Sequence, residues 1–272
     1  MKHYSDIQSL QRAFDLLDIV GSSESALSLK EIALESGLPR SSTYRFLRNL
    51  EYRGYLRCDE EGRYHLGLKL LYLQQRGEQK FDLKNQARPY LENLSGITGE
   101  TVHLGVLFEN RVLYVDSLES SHLIRMVAQV GSTIGVYCTS LGKALVMDLS
   151  EQEIQAILKA EPLKQLTQWT LTSEKSFLDA VKQARRQGFA VDERENNPDS
   201  RCVGAPIRDR EGRIVGALSI SGPISRMAGS YMKDVAIPAL LRETGELSKM
   251  LGYSEEKLKD QQDKKAKRRR KE

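Results

Sequence analysis

Between Arg40 and Arg57 the chain carries five arginines against one acid, Glu51, and Ser41, Ser42 and Thr43 stand at the start of that stretch. Guanidinium groups grip phosphate or a guanine edge bidentately, and small hydroxyls reach phosphates or bases. Arg40, Ser41, Ser42, Thr43, Arg45 and Arg48 on one helical face therefore suit contact with a nucleic acid. A solvated basic surface has the same composition, and on this helix alone the two readings weigh equally. A second set lies further on. Thr139-Ser140-Leu141-Gly142 opens a helix whose first N–H groups favour a carboxylate. Ser219 and Ser221 alternate with Leu218 and Ile220, so both hydroxyls share one face of a strand. Cys202 begins the neighbouring strand, and Asp192 precedes it in a loop.

These side chains need elements to hold them. Ile7, Leu10, Phe14, Leu17 and Val20 recur at helical spacing, with Leu16 and Ile19 widening the stripe, and Gly21-Ser22-Ser23 stops that helix. Ser28 with Glu31 three residues on reads as a capping box for a short helix ending at Gly37. Pro39 opens the next helix, about 39–53, which turns Tyr44, Leu47, Leu50 and Phe46 to a core. A hairpin follows: strand 54–58, the turn Asp59-Glu60-Glu61-Gly62 and strand 63–66. Three helices with a tight second turn and then a hairpin make a winged helix-turn-helix, which tips the arginine-rich helix toward DNA. The acidic hairpin tip is poorly suited to phosphate. Arg57 and Arg63 on its flanks are the better contacts, and Ser28 joins the DNA-facing set.

Charge distribution agrees. The net charge of +4 is uneven, with nine basic and three acidic residues from Lys257 onward and twelve against eleven in the first eighty. The long middle is mildly acidic, which points the nucleic-acid surface to the N-terminal part. The run KKAKRRRK at 264–271 reads as a solvated, disordered terminus that raises background DNA affinity. The 40% apolar fraction fits a globular chain, and no apolar run approaches the ~18–20 residues of a membrane span. The N-terminus has acids and glutamine where a signal peptide carries its apolar stretch, so a cytoplasmic protein is expected. Cys58, Cys138 and Cys202 are widely spaced, and the four histidines lack a ligand spacing, so neither metal nor cofactor is expected.

Residues 100–128 give three strand-like stretches, 100–108, 111–118 and 122–128, with a tight turn at Glu109-Asn110. Helical segments near 139–149, 151–160 and 173–187 follow, then strands 201–209 and 213–221 and a last helix, about 225–251, bent near Pro238. Strands, helices and strands again imply an antiparallel or mixed sheet with helices against it. Ser, Cys and Asp with His103 could be arranged as a nucleophilic triad. The chain has no G-x-S-x-G elbow, P-loop or dinucleotide fingerprint, which sets catalysis behind binding.

The runs IQSLQRAFDLLDIV, SLKEIALESGLPRSSTYRFLRNLEYRGYL and GRYHLGLKLLYL resemble the N-terminal domain of the IclR-type bacterial transcription regulators. The resemblance continues through GETVHLGVL, LIRMVAQVGSTIGVYCTSLGKALV and QGFAVDERENNPDSRCVGAPIRDREGRIVGALSISGP. It implies an α+β chain in four parts: a winged helix-turn-helix DNA-binding domain over 6–68, a linker helix over 69–80, a GAF-like α/β effector-binding domain over 81–252 and the basic tail over 253–272. It also implies a homodimer or tetramer on double-stranded, pseudo-palindromic operator DNA, with Leu68, Leu71 and Tyr72 as a dimer-contact face. By position, Leu123, Met126, Ser140, Leu141, Asp192, Cys202, Ser219 and Ser221 would contact a small organic-acid effector. Each has a plainer role alone: core for Leu123 and Met126, a small buried hydrophobe for Cys202, a turn cap for Asp192, an edge-strand face for the serines. Ser140-Leu141 and Ser200 stand where members of the family often carry smaller or more apolar groups. The expectation is a ligand-responsive repressor of a catabolic operon, and no enzyme. The alternatives are a DNA binder that uses no effector and a hydrolase-like use of the C-terminal pocket.

Overall fold

Residues 7–23, 25–78 and 83–254 are described by the computed structural model, in which the chain divides into two units, Met1–Asp82 and Leu83–Glu272. The basic run at 264–271 lies outside the described residues.

In the first unit, α1 (Gln8–Ser22), α2 (Leu29–Ser36) and α3 (Arg40–Tyr52) close around Leu16, Val20, Ile32, Leu47, Leu50, Leu56 and Tyr64. The helix α1 runs through Gly21 and Ser22, past its expected stop, and ends where Ser23 turns extended. Its apolar stripe divides. Leu16 and Val20 are buried, whereas Ile7, Leu10 and Phe14 are each more than half exposed. At α2 the capping box forms in full: Glu31 N–H donates to Ser28 Oγ at 3.4 Å, and Ser28 N–H to Glu31 Oε2 at 2.7 Å. Gly37 takes the left-handed conformation that ends α2, with φ of 65°.

The hairpin strands β2 (Leu56–Cys58) and β3 (Arg63–Leu66) pair Leu56 with Leu66 and Cys58 with Tyr64, and β1 (Leu27–Ser28) adds a third strand against β3. Asp59 shapes the turn by accepting from Glu61 N–H at 3.1 Å and Arg63 N–H at 2.8 Å, while His65 Nε2 sits 2.7 Å from its other oxygen. The chain then enters α4 (Leu68–Glu78) through Gly67, where an added Cβ would fall 2.1 Å from Gly54 O.

The second unit is one antiparallel sheet with helices on both faces. It runs α5 (Leu83–Thr98), β4 (Thr101–Phe108), β5 (Arg111–Leu118), β6 (Thr133–Gly135), a 3-10 turn, α6 (Ser140–Leu145), α7 (Glu151–Ala160) and α8 (Glu174–Gln187). Then come β7 (Ala190–Glu193), β8 (Ser200–Arg208), β9 (Ile214–Pro223), α9 (Gly229–Tyr231) and α10 (Ile237–Met250), with the sheet ordered β6-β5-β4-β9-β8-β7. Glu109 and Asn110 both take positive φ, 47° and 65°, the geometry of a two-residue hairpin turn. The strand expected over 122–128 does not form. Its residues are irregular, and β5 is edged instead by β6, Arg111 opposite Gly135. Where the sequence leads one to expect a break or bend near Pro238, a π-helical segment, Met232–Ala236, runs into α10, and Pro238 stands in the first turn of α10, where a missing N–H leaves no helical bond unmade.

Strand alternation separates two cores. Val102, Leu104, Val203, Ala205, Leu218 and Ile220 pack on α5 and α10 through Leu91, Leu94, Leu240 and Leu247. Ala217 packs on the opposite side with Leu141, Ala144, Phe177 and Val181 of α6 and α8. The polar residues that alternate with the first set share that second side with α6.

Candidate functional site

On the first unit, Arg40, Ser41, Arg45 and Arg48 are exposed along α3 and Ser42 is half-buried. Thr43 is not among them. It is fully buried, and its hydroxyl donates to Pro39 O at 3.1 Å. The reason is the helical period: Thr43, Leu47 and Leu50 lie four and three residues apart, on the stripe that enters the core. Tyr44, expected inward, is 48% exposed. The α3 N-terminus has no side-chain cap, so its first N–H groups remain available for phosphate. Arg40, Arg45 and Arg57 are exposed with no ion-pair partner among the described residues. Arg48 instead pairs with Glu51 at 2.9 Å, and Arg63 donates to Ala26 O at 2.8 Å and lies 3.6 Å from Glu31. The Ser28 hydroxyl is committed to the capping box. Of the nine expected contacts, the exposed and uncommitted ones cluster at the start of α3 and on β2.

On the second unit a cavity of about 250 Å³ opens between the sheet and the start of α6. Strand register builds its floor in two rows. Asp192 stands opposite Cys202, Cys202 opposite Ser221, and Ser221 opposite Thr101. In the next row Gly204 faces Ser219, Ser219 faces His103, and His103 faces Ser117. Gly204 has no room for a side chain, since a Cβ would come 2.9 Å from the Ser140 carbonyl, so α6 sits directly on the sheet there. Thr139 caps α6 by accepting from Gly142 N–H at 2.9 Å, which sets Ser140 and Leu141 at the cavity wall.

Seven of the eight residues singled out in the sequence meet here: Met126, Ser140, Leu141, Asp192, Cys202, Ser219 and Ser221. Leu123 does not, being 97% exposed on the irregular segment that replaces the expected strand. Asp192 lies on β7 rather than in a loop. The cavity also takes in His103, Tyr114 and Thr139, with Asn196, Asn197 and Ser200 from the β7–β8 connection and Arg125 from the irregular segment. His103 alternates with Val102 and Leu104 on β4, a signal available in the sequence. Tyr114 enters through an irregularity in β4–β5 pairing after Leu104, which no local pattern marks.

Burial controls the charge of these groups. It raises the Asp192 carboxyl to about 7, helped by Glu195 and opposed by Lys143. Asp192 is held by the Glu195 N–H, 2.7 Å from Oδ1. Lys143, almost wholly buried, faces away from the ligand space toward Glu195 and the Val191 carbonyl, at 2.6 Å from each. Desolvation lowers His103 to about 4, so it is neutral near pH 7, and pushes the Cys202 thiol well above the usual range. His103 Nδ1 lies 2.9 Å from Ser117 Oγ, not on an acid that would orient it as a base. A firmly protonated thiol is a poor nucleophile, and His103 is held by a serine hydroxyl rather than by the carboxylate of a catalytic triad. Among the described residues no group of three or more His, Cys, Asp or Glu is placed to hold a metal ion, and no helix is long and apolar enough to cross a membrane.

Residues 9–60 match the IclR helix-turn-helix domain, and residues 76–248 match the C-terminal domain of the bacterial transcriptional regulator IclR. The chain is 32% identical to the HTH-type transcriptional regulator XynR of Escherichia coli over 252 residues, 91% of this chain and 98% of that one. It is 32% identical to the transcriptional repressor IclR of the same organism over 224 residues, 81% and 82% of the two chains. The solved IclR of Thermotoga maritima superposes with a TM-score of 0.69 at 30% identity, covering 91% of this chain and all of that one.

Proposed function

Because the chain belongs to the IclR family of bacterial transcription regulators, and so is a DNA-binding regulator and not an enzyme, we propose that it is an effector-responsive repressor. The observation that carries this reading is the pairing, in one chain, of an exposed arginine–serine helix face with a separate, buried, polar cavity. The helix face is suited to reading a major groove, with Arg40 and Arg45 as the principal contacts, Ser41 and Ser42 as hydroxyl donors and Arg57 on the wing. A small organic acid in the cavity acts as effector by binding two states of the protein unequally, which changes operator affinity by at most that difference, and the operator changes acid affinity by the same factor in return. The repressor direction takes its support from the name of the Escherichia coli relative, and catabolic genes are the proposed targets.

The reading includes a homodimer or tetramer on a pseudo-palindromic site. Its support is apolar surface that one chain leaves uncovered: Ile7 just before α1, Leu10 and Phe14 on α1, and Leu68 and Leu71 on α4, are all more than half exposed. Sedimentation at micromolar concentration should give at least a dimer. The effector reading is tested by a thermal-shift screen of small organic acids on the full chain. A stabiliser should emerge whose effect is lost in Asp192→Ala and Ser221→Ala. Unchanged stabilisation in both variants would place the ligand elsewhere.

A further inference from the structure

The cavity is unusual in what its buried groups lack. Ser140 and Ser219 are each about 1% exposed, and their hydroxyls have no hydrogen-bond partner among the described residues. Both open into the cavity, as do the nine-tenths-buried Ser221, Thr139 and Asp192. An apolar ligand that displaced water from the cavity would leave these hydroxyls unpaired, which costs free energy. The apolar lining is Leu141, the Tyr114 ring, Cys202 and the short stretch 126–128. The cationic side chain in the lining is Arg125, on that same side and paired with Glu119 at 2.7 Å, since Lys143 is turned to Glu195.

Building on the effector reading above, we infer that the cavity selects a short, straight-chain polyhydroxy acid, its hydroxyls read by Ser140, Ser219, Ser221 and Asp192 and its carboxylate by Arg125. The β9 serines lie two residues apart on one strand face, a spacing of about 7 Å that spans several carbons of an extended polyol chain. Asp192 adds an acceptor at the end of the row that runs through Cys202 and Ser221, fixed in place by the Glu195 N–H. At about 250 Å³ the space falls below the ~300–1,000 Å³ of drug-sized pockets, which suits an acid of about four to six carbons. An aromatic acid of similar size would set its ring edge against hydroxyls it cannot satisfy.

The test is calorimetric titration of the full-length protein with gluconate and threonate, against hexanoate and benzoate as acids without hydroxyl chains and sorbitol as the polyol without an acid. One of the two hydroxy acids should bind at least about tenfold more tightly than hexanoate, benzoate or sorbitol. Ser219→Ala and Ser221→Ala should each weaken that binding about tenfold, and Ser219→Ala should leave the thermal midpoint of the free protein unchanged, since Ser219 has no partner to lose. Arg125→Gln should erase the advantage of the acid over sorbitol. Hexanoate or benzoate binding as tightly as the hydroxy acids would overturn the polyhydroxy inference while leaving an acid effector in place. Failure of every acid to bind would remove the effector reading itself, and this inference with it.

Discussion

Lys143 and Glu195 face each other beneath the cavity wall at 2.6 Å, one from α6 and one from the connection after β7, with side chains 2% and 7% exposed. The pair ties the helix that presents Ser140 and Leu141 to the connection that carries Asn196 and Asn197. Removing one partner leaves a buried charge without compensation. Lys143→Met should therefore destabilise the protein by ~3–5 kcal/mol, and the double change Lys143→Met with Glu195→Leu should recover most of that loss. Chemical unfolding of the three proteins measures it. Equal stabilities for the single variant and the native chain would mean that the pair does not hold the wall.

Thr43 should behave as a core residue. Thr43→Val removes its bond to Pro39 O and should lower stability by ~1 kcal/mol while operator affinity, measured well below the unfolding temperature, stays within about twofold. Arg45→Ala should do the reverse, weakening operator binding by ~1–3 kcal/mol with no change in the unfolding midpoint. Exchange of these two outcomes would reverse the assignment of the α3 faces.

Arg57 is exposed on β2, whereas Arg63 is engaged with Ala26 O and Glu31. Arg57→Ala should weaken binding to operator and unrelated DNA alike and reduce the slope of log K against log salt by about one per wing bound. Anisotropy titrations over a range of salt concentrations give that slope directly. An unchanged slope would take Arg57 off the phosphate backbone.

The Asp192 carboxyl is raised from 3.8 to about 7 by burial and by Glu195, against the pull of Lys143. Cys202, Ser221 and Thr101 are the other groups along its row. A raised carboxyl means the folded state holds the proton more firmly than the unfolded chain. Its contribution to stability is full below about pH 4 and is lost as pH rises through about 7. His103, lowered from 6.5 to about 4, acts in the opposite sense: its contribution is present above 6.5 and lost as pH falls through about 4. The difference between native and Asp192→Asn proteins isolates the first effect. Thermal midpoints at pH 5 and pH 8 should show the native chain losing ground to the variant at the higher pH. A constant gap would mean that Asp192 is ionised throughout.

What the sequence made legible was local. Ser28 with Glu31, Gly37 after α2 and the Glu109-Asn110 turn are each settled by a few neighbouring atoms, and each forms as expected. Residue type places Thr43 outward, whereas its period with Leu47 and Leu50 points inward. Asp192 read as a loop residue because a four-residue strand, β7, carries little pattern of its own. Leu123 and its neighbours are apolar enough for a strand, but β5 is already edged by β6, and whether an edge is taken is decided far along the chain. The cavity depends most on distance. The row of Asp192, Cys202, Ser221 and Thr101 exists only through the registers of three strand pairs, and Tyr114 enters through a pairing irregularity.

In the proposed regulator the start of α3 reads a defined DNA sequence and an acid in the cavity sets how tightly. The most direct measurement is operator affinity of the full-length chain, by anisotropy on a duplex selected from random DNA by the protein, with and without saturating hydroxy acid. Expected are an enriched palindromic sequence, binding weakened by ~1–3 kcal/mol in Arg45→Ala, and a shift of at least fivefold on adding the acid, the low end of ordinary coupling energies, that disappears in Ser219→Ala with Ser221→Ala. No enriched sequence, or an affinity indifferent to Arg45, would contradict that reading.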